Sequence, residues 1–250
     1  MRSVVLGRTG LRVSRLCFGT GTNGWNGSSD QTRIGHDALV RLLRSAYRLG
    51  VSFWDSADGY GSHSHIADAL EGLDRGSVVI STKTHARTRE AAEASVPRSL
   101  RELRTDYVDI LLMHYMTRPD WTVSLSPVID VLRGAKDQGL VRAIGASCHS
   151  VGALEAAAEA DWVDVVMARV NYDGVHMEAP HAEVIPVLER MHEAGKGVIG
   201  MKVLGQGQLA HDVRRAVSYA LGLRCLDAIT IGMTSQAQLT ENVELCNEFG

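Results

Sequence analysis

The amino-acid sequence predicts a single α/β domain folded as a TIM-type (β/α)8 barrel. From Ser14 onward, eight short runs rich in Val, Ile and Leu alternate with longer amphipathic segments, which is the pattern of repeated strand and helix units around a parallel sheet. Several runs, such as residues 110–113, are apolar at consecutive positions, as expected for strands that are covered on both faces. The length of 250 residues is also typical of a closed eightfold barrel.

The predicted strands and helices alternate along the whole chain. We expect strands near residues 14–19, 51–55, 77–83, 107–114, 141–147, 163–170, 197–204 and 226–232. We expect helices near residues 36–49, 64–73, 88–103, 125–138, 150–160, 181–194, 211–222 and 235–248. Ser150 and Ser235 are candidate helix N-caps, and Gly139 and Gly195 are candidate C-terminal stops.

The alternative architecture is an open, doubly wound sheet. That fold places a Gly-rich turn directly after the first strand, where the turn opens a helix. Here residues 18–24 instead open a long loop rich in Gly, Ser and Asn that extends to about residue 35. No Pro-, Gly- or Ser-rich linker divides the chain. Residues 1–250 are therefore expected to form one domain with a short or absent C-terminal tail.

The composition argues against several classes of function. Apolar residues make up 45% of the chain and charged residues 22%, which is ordinary for a globular protein with a substantial core. The net charge of −3 creates no field that would favour nucleic acid or a membrane surface as a partner. The cysteines are scattered, and neither a signal-peptide start nor a run of about 18 apolar residues occurs. The sequence predicts a cytoplasmic protein and leaves its oligomeric state open.

Four polar side chains mark the ends of three successive predicted strands. Asp55, Lys83 and His114 each follow an apolar run, and Tyr60 lies on the loop after Asp55. Because the carboxyl ends of the strands form the active face of a barrel, we expect these groups to converge on one pocket. Any one of them alone is more often structural, as a turn cap, a core phenol, a surface lysine or a buried imidazole. Four together favour a catalytic set.

The chemistry of these four groups suits proton transfer to a carbonyl. A phenol has an ordinary pKa of about 10, which is too high for efficient proton transfer near neutral pH. A nearby Lys83 ammonium should lower the pKa of Tyr60, and Asp55 can keep that ammonium charged and oriented. The His114 imidazole can hydrogen-bond a carbonyl oxygen and set its angle. The set therefore predicts a proton donor for a carbonyl that gains a hydride.

These residues resemble the catalytic tetrad of the aldo-keto reductase superfamily. The likeness rests on segments spread over nearly the whole chain, namely residues 6–14, 18–20, 55–61, 145–147 and 232–242, together with Lys83 and His114. The resemblance implies a barrel enzyme that reduces aldehydes or ketones, or oxidises the alcohols, with a nicotinamide cofactor. It implies that Tyr60 is the general acid or base, that Asp55 and Lys83 tune it, and that His114 orients the carbonyl.

The resemblance also implies a nicotinamide site at the strand ends. Ser147 and Asn171 are expected to hydrogen-bond the carboxamide, with Tyr172 against the ring. Backbone amides and a lysine at residues 201–207 suit the pyrophosphate. The expected cofactor contacts are Gly19, Thr20, Asp55, Ser147, Cys148, Asn171, Tyr172, Met201, Lys202, Leu204, Gly205, Gly207, Gly232, Met233, Thr234, Gln238, Glu241 and Asn242.

Three departures from the family pattern affect these expectations. Cys148 stands where many members carry Asn, and a small apolar filler is the favoured role for it. Gly232 and Gln238 stand where members that bind a 2′-phosphate often carry Lys and Arg. The resemblance favours NADP(H), but the loss of these two cations weakens recognition of the 2′-phosphate, so NAD(H) is left open. The chain also stops at Gly250 without the C-terminal tail that closes the substrate pocket in many members.

Without that tail, the substrate is expected to be selected by loops. The expected contacts to a small-molecule carbonyl or alcohol are Tyr60 and His114 in the tetrad and Trp25, Tyr115 and Trp121 in the loops. The geometry of these loops, and hence the identity of the substrate, does not follow from the sequence.

Two rival functions remain at this point. His63 and His65 could suggest the metal pair of a barrel hydrolase, but no matching carboxylate and histidine set occurs at other strand ends. We therefore expect no metal, and we expect this pair in a solvated loop or at a helix N-cap. The family also includes barrels that serve as subunits of channel assemblies, so a cofactor-binding sensor with slow turnover is the second rival.

Overall fold

The computed structural model describes residues 1–250 and contains a closed barrel of eight parallel strands. An antiparallel hairpin, β1 (Ser3–Val5) and β2 (Arg12–Ser14), precedes the barrel. The barrel strands are β3 (Leu16–Gly19), β4 (Phe53–Asp55), β5 (Val79–Thr84), β6 (Val108–Met116), β7 (Val141–Cys148), β8 (Val165–Arg169), β9 (Gly197–Met201) and β10 (Ala228–Gly232). Each barrel strand pairs with the next, and β10 closes the ring against β3. The predicted (β/α)8 barrel is confirmed.

Ten α-helices accompany the strands. They are α1 (Asp30–Arg33), α2 (His36–Arg48), α3 (His63–Leu70), α4 (Arg89–Leu103), α5 (Trp121–Ser124), α6 (Ser126–Asp137), α7 (Val151–Glu159), α8 (His181–Glu193), α9 (Val213–Gly222) and α10 (Gln236–Phe249). Eight of them occupy the predicted positions, whereas the one-turn helices α1 and α5 were not expected. None of the helices combines the length and the apolar character needed to cross a bilayer.

The predicted helix ends are confirmed by their hydrogen bonds and dihedral angles. The Ser150 hydroxyl accepts a hydrogen bond from the backbone N–H of Ala153 at 3.0 Å, and Ser235 caps α10 in the same way. Gly139 and Gly195 follow α6 and α8 with φ of +74° and +78°. That left-handed conformation is one that glycine adopts without steric cost, and it ends a helix.

Two apolar layers hold the barrel together. The larger layer lies between the strands and the surrounding helices, and the smaller one fills the barrel interior. Along β6, Ile110 and Leu112 point into the interior cluster, whereas Leu111 and Met113 join the outer cluster. This alternation explains why the sequence of the strand is apolar at consecutive positions, since each face is buried against a different layer.

The N-terminal hairpin plugs the lower end of the barrel. Leu6, Leu11 and Val13 are almost completely buried and belong to the interior cluster. Leu6 packs so closely on Gly197 that a Cβ added to this glycine would lie 2.6 Å from the Leu6 Cγ. The hairpin therefore leaves only the carboxyl ends of the strands open for a site. The sequence did not predict this hairpin, because its strands have only three residues each.

Aspartates repeat at the amino ends of alternate strands and tie neighbouring strands together. Asp109, Asp164 and Asp227 are all buried. Each carboxylate accepts a backbone N–H from the preceding strand: Asp109 from Ile80 at 2.9 Å, Asp164 from Ile144 at 3.0 Å and Asp227 from Val198 at 2.9 Å. Such bonds satisfy N–H groups at the strand starts that would otherwise be buried without partners. The buried carboxylates at the amino ends of the strands therefore stabilise the barrel.

Truncating the hairpin plug should destabilise the whole barrel. We expect Leu6→Ala to lower the free energy of unfolding by about 2–5 kcal/mol, because it removes buried methyl groups and leaves a cavity. Urea denaturation followed by circular dichroism measures this change. Val5→Ala is the control, since the neighbouring Val5 is 46% exposed. Equal effects of the two substitutions would contradict the plug.

Candidate active site

A cavity of about 930 Å³ opens at the carboxyl ends of the barrel strands. Side chains from strand ends and loops around the whole ring line it, and they include all four members of the expected tetrad. A cavity of this size can hold a cofactor-sized ligand. The loop between β3 and α2, the loop after β4 and the segment after β9 form most of its rim.

A buried ion pair lies at the base of this cavity. The Lys83 ammonium donates to both carboxylate oxygens of Asp55, at 2.7 and 2.6 Å, and to the carbonyl oxygen of Ser56 at 2.8 Å. Asp55 is 4% exposed and Lys83 is 1% exposed. Burial is the largest influence and would lower the pKa of Lys83, but the charge and hydrogen bonds of Asp55, together with Tyr60 and Cys17, raise this pKa above its ordinary value. The ammonium therefore stays charged, with all three of its N–H donors satisfied.

Tyr60 and His114 meet beside this pair. The Tyr60 hydroxyl lies 3.3 Å from Nε2 of His114, and their rings are nearly perpendicular. The Lys83 Nζ is 5.0 Å from the centre of the Tyr60 ring. The tetrad predicted from the sequence is thus brought together in one place. Its polar atoms leave room for a carbonyl oxygen that could accept from both Tyr60 and His114.

Burial sets the protonation states of both groups. It raises the pKa of Tyr60 above its ordinary value, although the Lys83 charge acts in the opposite direction. The lowering that we expected from Lys83 is therefore present but outweighed. Burial, followed by the Lys83 charge, lowers the pKa of His114 well below its ordinary value. At neutral pH the site holds a protonated phenol and an uncharged imidazole, so both can donate to a carbonyl oxygen.

Glycines fix the position of the Tyr60 ring. A Cβ on Gly21 would lie 2.0 Å from the ring, and one on Gly24 would lie 2.5 Å from it. Gly61, at φ +69°, packs against the Gly27 carbonyl so closely that a Cβ there would lie 2.0 Å from the oxygen. The backbone of this loop therefore lies directly on the phenol ring. This contact explains why residues 19–27 are rich in glycine.

Most of the expected cofactor contacts line the cavity. They are Gly19, Asp55, Ser147, Met201, Lys202, Leu204, Gly207, Gly232, Thr234, Gln238, Glu241 and Asn242. Ser147 also accepts the backbone N–H of Tyr115 at 3.3 Å, which orients its hydroxyl. Gly232 lies where any side chain would collide with Thr22 and Gln31, since a Cβ would lie 2.0 Å from the Thr22 hydroxyl. The lysine of other members therefore does not fit here without rearrangement.

Six expected cofactor contacts lie outside the cavity lining: Thr20, Cys148, Asn171, Tyr172, Gly205 and Met233. The Asn171 amide is used by its own loop, because its nitrogen donates to the Val175 carbonyl at 2.8 Å and its oxygen accepts the N–H of Val175 at 3.1 Å. Thr20 is buried and its hydroxyl bonds the Asp55 carbonyl. These side chains support the rim and do not face the cavity.

Cys148 and Tyr172 also have structural contacts. The Cys148 thiol is fully buried 3.5 Å from the Ala153 carbonyl, and burial raises its pKa. An uncharged, inaccessible thiol agrees with the apolar filler role favoured from the sequence. The Tyr172 ring packs under the Arg215 guanidinium at 4.2 Å.

Of the expected substrate contacts, Trp25, Tyr60, His114 and Tyr115 line the cavity and Trp121 does not. Trp121 is 1% exposed, its indole N–H donates to the Ala153 carbonyl at 3.1 Å, and its ring packs edge-on against Trp162. It anchors α5 to α7 in the outer core. The sequence placed it in a loop because the single turn of α5 carries no helical signal.

The histidine pair after Tyr60 also differs from expectation. His63 and His65 begin α3 and are buried, not solvated. His63 bridges two elements, with Nε2 2.8 Å from the Thr82 hydroxyl and Nδ1 2.6 Å from Glu102. His65 stacks on His36 with ring centres 4.3 Å apart. Both imidazoles therefore join α3 to its neighbours.

Several residues that the sequence reasoning missed line the cavity. They are Gly21, Thr22, Gln31, His85, Arg87, His149, Met167, Arg169 and Gln206, among others. Met167 and Arg169 alternate along β8 and both reach the cavity, four and two residues before Asn171 respectively. The period of two in strands could have identified them, since alternate residues share one face.

Arg169, His149, Lys202 and Glu178 form a charged cluster on one wall. Burial, followed by the Arg169 charge, lowers the pKa of His149 to about 3. Burial lowers the pKa of Lys202 to about 8 and raises the pKa of Glu178 to about 7. Glu178 lies 3.3 Å from Arg169 without forming an aligned hydrogen bond. With Glu178 half-protonated near neutral pH, this wall carries excess positive charge and suits an anion.

A nicotinamide dinucleotide fits the donors and acceptors that the cavity presents. The excess positive charge at Arg169 and Lys202 matches a pyrophosphate. Asn242 is 2% exposed and lines the cavity, and its side-chain oxygen is buried without a partner, although its nitrogen donates to the Gln238 carbonyl at 2.7 Å. Such an orphan acceptor is rare in a folded protein. A ligand N–H would satisfy it.

Asp58, His85 and His114 bring possible metal ligands within 4.8 Å of one another. The Asp58 carboxylate and Nδ1 of His85 are 2.6 Å apart, which is a hydrogen-bond distance. Asp58 and His85 are therefore paired with each other by a hydrogen bond, and this pairing competes with metal ligation.

The sequence and the fold both match known proteins. The model of the Aldo/keto reductase family matches residues 15–216. L-galactose dehydrogenase of Arabidopsis thaliana is 25% identical over 98% of this chain and 88% of its own length. The NADH-specific methylglyoxal reductase of Escherichia coli is 26% identical over 68% of this chain and 59% of its own length.

A solved structure, a putative aldo-keto reductase from Pseudomonas aeruginosa, superposes with a TM-score of 0.83 at 26% identity, over 98% of this chain and 95% of that chain. The family match covers most of the chain and includes all four tetrad residues. Together with the barrel and the geometry of the cavity, it shows that the chain belongs to the aldo/keto reductase family of oxidoreductases.

Proposed function

We propose that the protein reduces an aldehyde or ketone to the alcohol, or catalyses the reverse oxidation, with a nicotinamide cofactor and with Tyr60 as general acid or base. One observation carries this proposal: the Tyr60 hydroxyl and Nε2 of His114 lie 3.3 Å apart beside the buried pair of Lys83 and Asp55. Two donors that can converge on one oxygen are what a carbonyl needs as negative charge develops on it.

In the reduction direction Tyr60 donates its proton to the carbonyl oxygen. Because burial keeps the phenol protonated, the donor is present before substrate binds. The His114 imidazole is uncharged at neutral pH, so its Nε2–H can donate a second hydrogen bond that fixes the angle of the carbonyl. Bound nicotinamide supplies the hydride to the carbonyl carbon.

Lys83 and Asp55 stabilise the tyrosinate left after proton transfer. The Lys83 ammonium lies 5.0 Å from the centre of the Tyr60 ring, close enough to favour the anion once it forms. Asp55 keeps the ammonium charged and oriented through two hydrogen bonds. In the oxidation direction the same ammonium favours the tyrosinate that accepts the alcohol proton. The pair thus serves both directions.

The cofactor would lie along the wall from Ser147 to Asn242. Ser147 would hold its carboxamide end, Lys202 and Arg169 its pyrophosphate, and Asn242 its adenosine end. The adenosine end offers Gln238, Glu241 and Asn242 but no cation. Arg41 and Arg48 of α2 line an adjoining groove of about 450 Å³ that shares Thr234 with the main cavity. These arginines could reach a 2′-phosphate, so we favour NADPH with a modest preference over NADH.

We further propose that the substrate is small and polar. The cavity beside the tetrad is lined by His85, Arg87, Trp25 and Tyr115, which offer several hydrogen-bonding groups within a short reach. The names of two relatives point to compounds with oxygen on the carbon next to the carbonyl, as a hydroxyl group in L-galactose and as a second carbonyl in methylglyoxal.

Tyr60→Phe tests the role of the hydroxyl. We expect kcat for aldehyde reduction to fall by about 10²–10⁴-fold, because general acid catalysis is lost while the ring is kept. Cofactor affinity, measured by fluorescence titration, should change little. The control is Tyr107→Phe, which removes a hydroxyl at the opposite end of the barrel, before β6. Full activity in Tyr60→Phe would exclude Tyr60 as the proton donor. A wild-type protein that binds cofactor but oxidises it with no carbonyl would favour a sensor.

Cofactor preference can be tested at the adenosine end. We expect wild-type protein to bind NADPH more tightly than NADH by well under a thousandfold, since the main cavity has no lysine or arginine at the predicted phosphate contacts. Arg41→Gln should weaken NADPH binding by about tenfold and leave NADH binding unchanged, so NADH is the control within the same variant. Fluorescence titration measures both constants. A preference above a thousandfold would contradict this assignment.

A further inference from the structure

Asp58 and His85 form a hydrogen-bonded pair that the proposed reaction does not use. Nδ1 of His85 lies 2.6 Å from one Asp58 oxygen, and the backbone N–H of His85 donates to the other at 2.9 Å. Arg98 lies 3.5 Å from the same carboxylate. Burial alone would raise the pKa of Asp58, but the bonds from His85 outweigh burial and lower it. Asp58 is therefore a carboxylate that holds the His85 ring in one orientation.

The pair places an imidazole beside the reacting carbonyl. The His85 ring centre lies 4.2 Å from that of His114, and Trp25 packs edge-on against His85 at 5.4 Å. His85 lines the cavity, whereas Asp58 lies behind it. When the carbonyl oxygen of a substrate is hydrogen-bonded to His114, a substituent on the carbon next to the carbonyl therefore lies within reach of His85.

The carboxylate also decides which hydrogen bond His85 can make. An ionised Asp58 only accepts, so a His85 ring that carries a single proton must carry it on Nδ1. Nε2 then carries a lone pair and acts as an acceptor. Nε2 has no hydrogen-bond partner within the protein. The cavity therefore presents an oriented, unused acceptor next to the site of reaction.

We propose that His85 is a specificity-determining residue that accepts a hydrogen bond from a hydroxyl group on the carbon next to the carbonyl. The favoured substrates are then 2-hydroxyaldehydes or 2-hydroxyketones. A 2-oxoaldehyde has only lone pairs at that position and cannot donate to Nε2, so it is disfavoured. The proposal rests on the proposed carbonyl reduction and adds the chemistry of the substrate's second oxygen.

Three aldehydes of equal carbon number test this assignment. They are propanal, 2-hydroxypropanal and 2-oxopropanal, which differ only at the adjacent carbon. The measurement is kcat/KM for each with the reduced cofactor, and the variants are compared by ratios between substrates, so that differences in intrinsic reactivity cancel. His192→Phe is the matched control, because His192 also lies near an aspartate, Asp227, but at the opposite end of the barrel.

His85→Phe keeps an aromatic ring against Trp25 and His114 but removes the acceptor. We expect the ratio of kcat/KM for 2-hydroxypropanal to kcat/KM for propanal to fall by about tenfold, mainly because KM for 2-hydroxypropanal rises when one hydrogen bond to the substrate is lost. His192→Phe should leave the ratio unchanged. An unchanged ratio in His85→Phe would overturn the proposal.

Asp58→Asn gives a second, opposite signature. The asparagine amide donates to Nδ1 of His85, which moves the imidazole proton to Nε2 and turns the acceptor into a donor. We expect the ratio of kcat/KM for 2-oxopropanal to kcat/KM for 2-hydroxypropanal to rise by about tenfold relative to wild type. A purely structural role for the pair would change thermal stability but leave this ratio constant, and that result would also overturn the proposal.

Two further readouts separate this inference from the proposed function and from a metal site. Tryptophan fluorescence titration of the cofactor complex of Tyr60→Phe with 2-hydroxypropanal and propanal reports binding without turnover. If 2-hydroxypropanal binds more tightly than propanal but the wild-type protein reduces neither, the role of His85 in substrate binding is supported and the proposed reduction is wrong. A different result would assign Asp58, His85 and His114 to a metal site. In that case stoichiometric zinc inhibits the wild-type protein but not His85→Phe, and the kcat/KM ratios between substrates are the same in both.

Discussion

The buried ion pair between Lys83 and Asp55 is the constraint on which the site depends. An ammonium with almost no exposure is costly unless opposite charge and hydrogen bonds compensate it, and here two carboxylate oxygens and the Ser56 carbonyl do so. Removing either partner of such a pair typically costs about 3–5 kcal/mol. Apolar residues could fill the same volume at no such risk, so the stability of the barrel does not account for this pair, whereas its proposed role beside Tyr60 does. The ends of β4 and β5 must therefore remain in register.

The same burial assigns three protonation states at once. It keeps the Tyr60 phenol protonated and the His114 imidazole uncharged, whereas Lys83 stays charged against burial because Asp55, with smaller contributions from Tyr60 and Cys17, raises its pKa. A more open site would leave His114 free to take up a proton and would screen Lys83 from Tyr60. The hairpin that closes the lower end and the glycine loop that lies on Tyr60 both exclude water from this point. Fold and chemistry are connected through the exclusion of water.

The sequence predicted the positions of side chains at the ends of strands. It did not predict positions that are set by packing between distant segments. The tetrad could be predicted because residues near the carboxyl ends of neighbouring strands, and on the loops that follow, meet at one end of a barrel. Asn171 and Trp121 come after strands too, but their side chains turn away to hold a loop and to join two helices. The Trp121 contact is set by a partner far along the chain, Ala153, and the Asn171 contact by the conformation of its own loop at Val175. The short N-terminal hairpin was missed for the same reason, since its stability comes from burial in the barrel.

Reaction and selectivity occupy different parts of the structure. Asp55, Lys83 and His114 lie within strands, whose positions are fixed on both sides by neighbours. His85 lies just beyond the end of β5, where the chain is free to change without disturbing the barrel. A loop histidine can nevertheless be as well oriented as a strand residue when a carboxylate holds both its ring and its backbone, as Asp58 does. Because Asp58 belongs to the same turn that carries Tyr60, the orientation of His85 and the position of the proton donor are set by one segment. In the proposed reaction, one segment therefore positions both the proton donor and the residue that we propose selects the substrate.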